Sequence, residues 1–286
     1  MITLGRLGPD DLAAALRVLR EWPYDGAPVP LHPGDVGWFW RFGAEATAEA
    51  VRTWSRDGRL LALGMLDAPR VLRLALAPDA EDDEELAGRI ADDLTDPDRV
   101  LPEGEGFVEA RTGTALNALL VDRGWGPDDP WAPLVRDLSG PVGDCGLRVE
   151  VTTPATAPVR VEVQRAAFDR STFTVERWGA MAAGPAYAEA RCLVGFDEQG
   201  TAVAAATVWS AGPGRPGLLE PVGAHRDHRG RGHGRAISVA AAATLRDLGS
   251  SSAWVCTPAS NVAAVAAYAS AGFERLPDVR DLCRRA

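Results

Sequence analysis

The stretch HRDHRGRGHGRA, His225–Ala236, interleaves four arginines with glycines in a chain whose formal net charge is −10. Three of the chain's four histidines, His225, His228 and His233, fall in it as well. The run that follows, RAISVAAAATLRDLG, places Ile237, Ala241, Leu245 and Leu248 at helical spacing, with Gly249 where a left-handed residue closes a helix. The run ahead, PGLLEPVGA, is short, apolar and bounded by Gly and Pro, so it reads as a strand. Strand, Gly-rich basic turn and helix start describe an anion site. The first N–H groups of a helix are unpaired, its dipole is positive there, and glycines let an anion approach the backbone. Side chains at Arg229, Arg231 and Arg235 would reinforce the turn, and a diphosphate is its natural guest.

Other readings of the turn fit less well. A Walker A loop ends in Gly-Lys-Ser/Thr, which is absent. A dinucleotide fingerprint needs a third glycine where Ile237 stands. A zinc site on His225, His228 and His233 would need a flexible turn to orient three rings, with no Cys or carboxylate partner at familiar spacing. The expectation is no metal. A solvated basic loop leaves the regular alternation of Gly and Arg unexplained.

The 286 residues suffice for one large domain or two ordinary ones, and 46% apolar content supports a real core. No run approaches the roughly 20 apolar residues of a membrane span. Met1–Asp11 lacks the basic and apolar regions of a signal peptide. Cys145, Cys192, Cys256 and Cys283 show no CxxC spacing and read as reduced thiols. A cytoplasmic protein is expected, with neither a membrane nor a nucleic acid as partner, since the acidic balance opposes a general nucleic-acid binder.

The chain repeats itself. VRDL occurs at Val135–Leu138 and again at Val279–Leu282, each time after a helix ending in Gly-aromatic, LLVDRGW and YASAGF. Both halves order a strand, helices, a hairpin-like pair of apolar runs, a helix, a short strand and a further helix. The paired runs are RLLALGML with RVLRLALAP in the first half and ARCLVGFD with TAVAAATVW in the second. Duplication accounts for this order. It predicts two tandem α/β (α+β) domains, 1–139 and 147–286, joined by a Gly/Pro-rich linker at 140–146. A doubled domain can supply within one chain the pairing of a dimer, so a monomer is expected, with a homodimer as the alternative.

Arg229-Gly230-Arg231-Gly232-His233-Gly234 resembles the R/Q-x-x-G-x-G/A signature of the GCN5-related N-acetyltransferases (GNAT). The lead-in EPVGAHRDH is similar to the strand before that signature, and NVAAVAAYASAGF to the next motif, an Asn-started helix carrying a Tyr. The close resemblance covers roughly Glu220 to Phe273. It implies, for each half, a mixed, mostly antiparallel sheet flanked by helices. It implies acetyl-CoA as co-substrate, its pyrophosphate held by Arg229, Gly230, Arg231, Gly232, His233 and Gly234. The tandem plan with one degenerate copy is similar to that of mycothiol synthases, whose acceptor is a cysteinyl pseudodisaccharide.

Acyl transfer to an amine needs a neutral amine, a polarised carbonyl and a protonated leaving thiolate. Strand alternation places Glu220, Val222 and Ala224 on one face, with Glu220 the candidate general base. A surface glutamate at a strand edge is the rival reading. Pro221 gives up a ladder hydrogen bond, which suits a strand splaying from its neighbour to admit the pantetheine arm. Main-chain N–H groups near Val222 and Ala224 would then bind the arm. Asn261 caps the next helix and contacts the cofactor. By resemblance Tyr268, two helical turns on, is the general acid; the alternative is a core aromatic.

Aligning Ala77–Asp79 with His225–Asp227 sets the basic turn against AEDDEELAG, where Glu81, Asp82, Asp83, Glu84 and Glu85 would repel a pyrophosphate. Leu120 or Val121 stands where the second half has Tyr268. The first half is thus expected to be non-catalytic, and its aromatic stretch Glu21–Phe42 to pack at a domain interface. Glu176, Trp178, Met181 and Tyr187 fall where the family shapes its acceptor pocket. The acceptor expected is a small-molecule primary amine, attacking directly in a ternary complex, and the acidic surface favours a cationic one. The rival function is an acyl-CoA-binding scaffold without turnover.

Overall fold

A computed structural model of the chain describes residues 1–26 and 30–285. From the N-terminus the chain runs β1 (Ile2–Gly5), α1 (Leu12–Leu19), α2 (Pro33–Phe39), α3 (Ala44–Ala50), β2 (Val51–Arg56), β3 (Arg59–Ala68) and β4 (Val71–Leu76). The first half ends with α4 (Glu84–Thr95), β5 (Gly106–Glu109), α5 (Thr114–Asp122) and β6 (Gly126–Asp137). The second half begins with β7 (Arg148–Val151), α6 (Ala157–Ala167), α7 (Val175–Ala182), β8 (Ala190–Phe196), β9 (Ala202–Ser210) and β10 (Gly217–Ala224). It ends with α8 (His233–Asp247), β11 (Ser252–Pro258), α9 (Val262–Ser270), β12 (Glu274–Arg275) and β13 (Val279–Arg284).

The chain divides into two compact units, and they do not follow a single cut at residues 140–146. Unit 1 comprises Met1–His32, Ala44–Trp131 and Asp278–Ala286; unit 2 comprises Pro33–Gly43 and Ala132–Pro277. The two VRDL copies are exchanged. Val135–Leu138, from the first half, lies in unit 2, and Val279–Leu282, from the second, lies in unit 1. There β13 pairs antiparallel with β5, Leu282 opposite Val108.

Unit 1 is a mixed sheet in the order β1-β2-β3-β4-β5-β13, followed by the first residues of β6. In it β4–β5 is a parallel pair, while β1–β2, β2–β3, β3–β4, β5–β13 and β13–β6 are antiparallel. Its leading hairpin is β2–β3, turned at Asp57 (φ 51) and Gly58 (φ 80), a two-residue loop with both residues left-handed. The antiparallel pair read from the sequence, β3–β4, is present with Leu63 opposite Ala75, but by element order it is β2–β3 that corresponds to β8–β9. Trp54, Leu63, Met65, Leu72, Leu74, Leu86 and Ile90 are fully buried in its core. Inside this unit Asp93 (1% exposed) takes Arg89 at 2.8 Å and Arg99 at 2.6 Å, and accepts the Trp54 indole N–H.

Unit 2 follows the order β6-β11-β10-β9-β8-β7, with β12 on β6, and β10–β11 is its parallel pair. Leu193, Ala204, Ala206, Val208 and Leu219 send their side chains to one core with α8 and α9. Cys192, Trp209 and Leu218 send theirs to a second core with α6 and α7. Such alternation along β8 and β9 is what a sheet covered on both faces requires.

The aromatic stretch is divided: up to His32 it belongs to unit 1, and from Pro33 on to unit 2, where α2 lies on Trp209. A Cβ at Gly34 would come within 2.5 Å of the Trp209 Cβ, and one at Gly37 within 2.4 Å of its ring. Trp40 fills the space beside Gly184 in the same way, at 2.7 Å. Residues 27–29 of the stretch lie outside those described. Among the described residues no helix is long and apolar enough to cross a membrane.

Candidate active site

The strand β10 is where the sheet of unit 2 opens. Its parallel pairing with β11 ends at Leu218–Trp254, although β11 continues to Pro258. On the other side β10 stays with β9, but its register slips between Leu219 and Val222. The extra residue is a bulge at Glu220 and Pro221, whose peptide bond is cis. The bulge breaks the alternation expected for Glu220, Val222 and Ala224. Val222 and Ala224 pack toward the α8 core with Leu219, and Glu220 stands in the bulge itself. The indole of Trp209 donates to the Glu220 carbonyl at 2.7 Å. Beyond the bulge, His225 N donates to Val203 O on β9 at 2.9 Å. Strand alternation therefore turns the N–H groups of Val222 and Ala224 the other way, toward the side β11 has left.

The turn between β10 and α8 needs left-handed backbone at two glycines. Gly230 has φ 75 and Gly232, the N-cap residue, φ 85; a Cβ at either would meet nothing within 4 Å. The helix starts at His233, so the signature's last glycine and Arg235 already lie in its first turn, where N–H groups have no intrahelical acceptor. Most of the arginines serve the scaffold. Arg226 donates to the carbonyls of Ala166 (2.8 Å) and Arg165 (3.1 Å), and Arg229 to that of Ala167 at 2.7 Å. They cap the C-terminal end of α6, where positive charge is favoured. Arg235 holds the Ser270 carbonyl at the end of α9 at 3.0 Å. Arg231 is exposed beside the turn.

The three histidine rings touch in series, His225 to His228 at 5.2 Å and His228 to His233 at 6.4 Å between centroids. Burial, the His228 ring and the Arg231 charge hold His233 below the usual imidazole range. Among the described residues no group of three or more His, Cys, Asp or Glu is arranged to hold a metal ion.

A cavity of about 680 Å³ lies against this turn. Val222, Ala224, Arg229, Gly230, Gly232, His233, Gly234, Asn261 and Tyr268 all line it; Arg231 and Glu220 do not. Ala167 and Phe168 form its far wall, close because Gly223 has no side chain: a Cβ there would lie 2.6 Å from that of Ala167. Asn261 caps α9 by accepting from Ala264 N at 3.2 Å. Tyr268 is 8% exposed and packs on Phe273 at 6.0 Å. Burial first, then the nearby Glu220 and Cys256, push its hydroxyl above the ordinary tyrosine range. Glu220 is thus within electrostatic reach of Tyr268 across the opening.

The acceptor-side residues separate. Trp178 (7%) and Met181 (1%) belong to the α6–α7 core, with Tyr187 packed against it; Glu176 is exposed on the first turn of α7. Trp178, Tyr187 and Trp209 stack edge-on in series, at 6.4 and 6.2 Å, and Trp38 meets Phe173 at 5.3 Å. Sequence reasoning missed Arg160, 1% exposed inside this group. Its signal was available: it falls on the buried stripe of α6 with Ala157, Val161, Gln164 and Ala167.

The counterpart region of unit 1 is built otherwise. Asp83 caps α4 by accepting from Leu86 N at 2.9 Å and pairs with Arg56 at 2.8 Å. Glu85 shares Arg56 at 2.8 Å, Glu81 meets the Tyr24 hydroxyl at 3.3 Å, and Asp82 bonds Thr114. These carboxylates close a helix start on their own unit. Leu120, fully buried on α5, occupies the place that Tyr268 has on α9.

Residues 161–273 match the model of the acetyltransferase (GNAT) family. Among solved structures the chain is similar to a GCN5-related N-acetyltransferase from Sphaerobacter thermophilus, with TM-score 0.59, 18% identity, and 99% of this chain and 95% of that one covered. It is similar to a GNAT-family acetyltransferase from Colwellia psychrerythraea, with TM-score 0.59, 16% identity, and 99% and 98% coverage. A tandem GNAT protein from the clavulanic acid biosynthesis pathway aligns with TM-score 0.56, 14% identity, and 99% and 98% coverage. At these identities the likeness is one of fold, and it extends over both halves. A comparison with the curated proteins gives no match.

Proposed function

Starting from a GNAT acetyltransferase domain over residues 161–273, we propose that unit 2 transfers an acetyl group from coenzyme A to the primary amine of a small molecule. The observation that carries this is the single cavity wall shared by the left-handed glycine turn, the outward N–H groups of Val222 and Ala224, and Tyr268. The residues fit the co-substrate. Its pyrophosphate would lie on the N–H groups at the start of α8, with Arg231 at the rim, and its pantetheine arm along the edge of β10 that β11 leaves open. The co-substrate supplies the activated thioester.

The amine nitrogen attacks the thioester carbonyl, a C–N bond forms and the C–S bond breaks. The amine's proton passes to the Glu220 carboxylate, directly or through a water. The departing thiolate takes a hydrogen bond from the Tyr268 hydroxyl. An ordinary phenol near 10 already lies above a thiol near 8.5, and burial raises Tyr268 further. Hydrogen bonding, rather than full proton transfer, is therefore its contribution. Among the described residues unit 1 has no comparable turn, and it takes no part in the chemistry.

Thiol release from acetyl-CoA across an amine panel tests this reading, together with the melting shift caused by CoA, which grows as RT ln(1 + [L]/Kd). A shift with no product for any amine would favour the scaffold reading; no shift at all would remove the site.

A further inference from the structure

Arg160 is a buried guanidinium without a counter-ion. It is 1% exposed, and among the described residues no carboxylate pairs with it. Its Nη2 donates to Thr207 Oγ1 at 3.2 Å, while Nε and Nη1 have no partner. The Phe173 ring lies 5.9 Å away, and the Cys192 thiol, 3.3 Å from Thr207 Oγ1, and the Tyr187 hydroxyl are its further polar neighbours. One turn along α6, Gln164 is 4% exposed, and its Oε1 also lacks a partner.

A guanidinium stays protonated in a protein, so its burial cannot be relieved by losing the charge. Burying it unpaired is costly, and an apolar side chain of similar volume would be more stable. In unit 1 the buried carboxylates Asp93 and Glu109 have oppositely charged partners, and the buried Arg52 donates to the carbonyls of Glu49 at 2.6 Å and Val51 at 2.9 Å. Arg160 departs from that pattern at a telling place. Thr207 lies on β9 between Ala206 and Val208, the partners of Val222 and Leu219, so it faces the Glu220 bulge. Two turns beyond Arg160 on the same helix face, about 10 Å along the axis, Ala167 lines the cofactor cavity. The vacant donors of Arg160 and the vacant acceptor of Gln164 thus form a row leading toward the reacting centre.

We infer that Arg160 holds an anionic group of the acceptor, and that the acceptor is a primary amine carrying a carboxylate. The carboxylate takes the open guanidinium nitrogens. The Gln164 carbonyl receives an N–H, and the amine is left facing Glu220. Phe173 and Trp178, with Trp38 and Tyr187 packed against them, make the apolar core beside Arg160, and apolar surroundings strengthen charge-assisted bonds. This rests on the acyl-transfer reading for the fate of the amine, though not for the binding of the carboxylate.

The test uses matched pairs of primary amines, each amino acid against its own carboxamide, with two readouts: the melting shift in saturating CoA, and thiol release from acetyl-CoA. The full chain should respond to the carboxylate members and far less to the carboxamides. Arg160→Met and Arg160→Gln should raise KM for the carboxylates by roughly ten- to a hundredfold, with a smaller change in kcat and an unaltered CoA shift. Arg160→Met should also melt higher than the parent in the absence of ligand, which certifies its fold. Equal response to both members of every pair overturns the inference, and that comparison needs no variant. So does a carboxylate preference that survives Arg160→Met. A carboxylate-dependent melting shift with no thiol release keeps the anion site and removes the transferase reading instead.

Discussion

Trp209 on β9 donates its indole N–H to the main-chain carbonyl of Glu220 at 2.7 Å, and the same ring supports Gly34 and Gly37 of α2. One side chain thus fixes the bulge that carries the candidate base and seats the aromatic segment. Trp209→Phe keeps part of the ring but strands the carbonyl. The expected loss is about 1–3 kcal/mol, read as a lower melting temperature, with slower acetyl transfer and nearly unchanged CoA affinity.

Tyr268→Phe removes a hydroxyl and leaves the packing on Phe273. Thiol release should fall roughly tenfold to a hundredfold, while the CoA melting shift stays. Because burial and the Glu220 charge raise this hydroxyl above its unfolded value, its contribution to stability is complete below about pH 10 and is lost as the pH climbs past the folded value. The melting temperature of the parent should therefore fall faster with alkaline pH than that of the variant.

The arginines of the turn should divide by what they touch. Arg226→Ala and Arg229→Ala uncap α6 and should cost about 1 kcal/mol each. Arg231→Ala should leave stability alone and weaken CoA several-fold, with a shallower salt dependence. Calorimetric titration at two salt concentrations separates the classes; an Arg229→Ala protein of normal stability would contradict the capping role.

Asp281, in unit 1, titrates above the usual carboxylate range. Burial, and then the Glu109 carboxylate, lift it to about 6, against the opposing pull of Arg111 and Arg73. A raised folded value means that the stabilising proton is held below the unfolded value near 3.9 and lost as the pH rises through about 6. Asp281→Asn should therefore melt higher than the parent at pH 7.5, by an amount of order 1 kcal/mol. The gap should close by pH 4. A constant gap across that window would refute the assignment.

Neutralising Glu81, Asp82 and Glu84 together should leave CoA affinity unchanged, because the carboxylates belong to the closed helix start of unit 1. Asp83→Ala should cost about 1 kcal/mol as a lost cap. Affinity that rises on neutralisation would mean that unit 1 keeps a latent diphosphate site.

Local chemistry was readable in the sequence. Gly230 and Gly232 announced left-handed backbone, Asn261 announced a cap, and the run from Ile237 to Leu248 announced a helix, since each depends on near neighbours in the chain. Pro221 marked an irregular strand, but the bulge itself and the turn it gives Glu220 were hidden because strand alternation does not count an inserted residue. The roles of Arg226 and Arg229 were hidden for another reason: their partners, the carbonyls at the end of α6, lie far upstream in the chain. The membership of Pro33–Gly43 in unit 2 depends on Gly34, Gly37 and Gly184 clearing room for Trp209 and Trp40, a long-range fit that periodicity does not register.

The exchanged VRDL segments bear on how such a chain can be dissected or can evolve. A fragment cut at the apparent midpoint would forfeit a strand its own sheet requires while carrying one that suits the missing half. Each half of the chain thereby depends on the other for a strand, so loss of either would disable the one that remains by depriving it of structure rather than of chemistry.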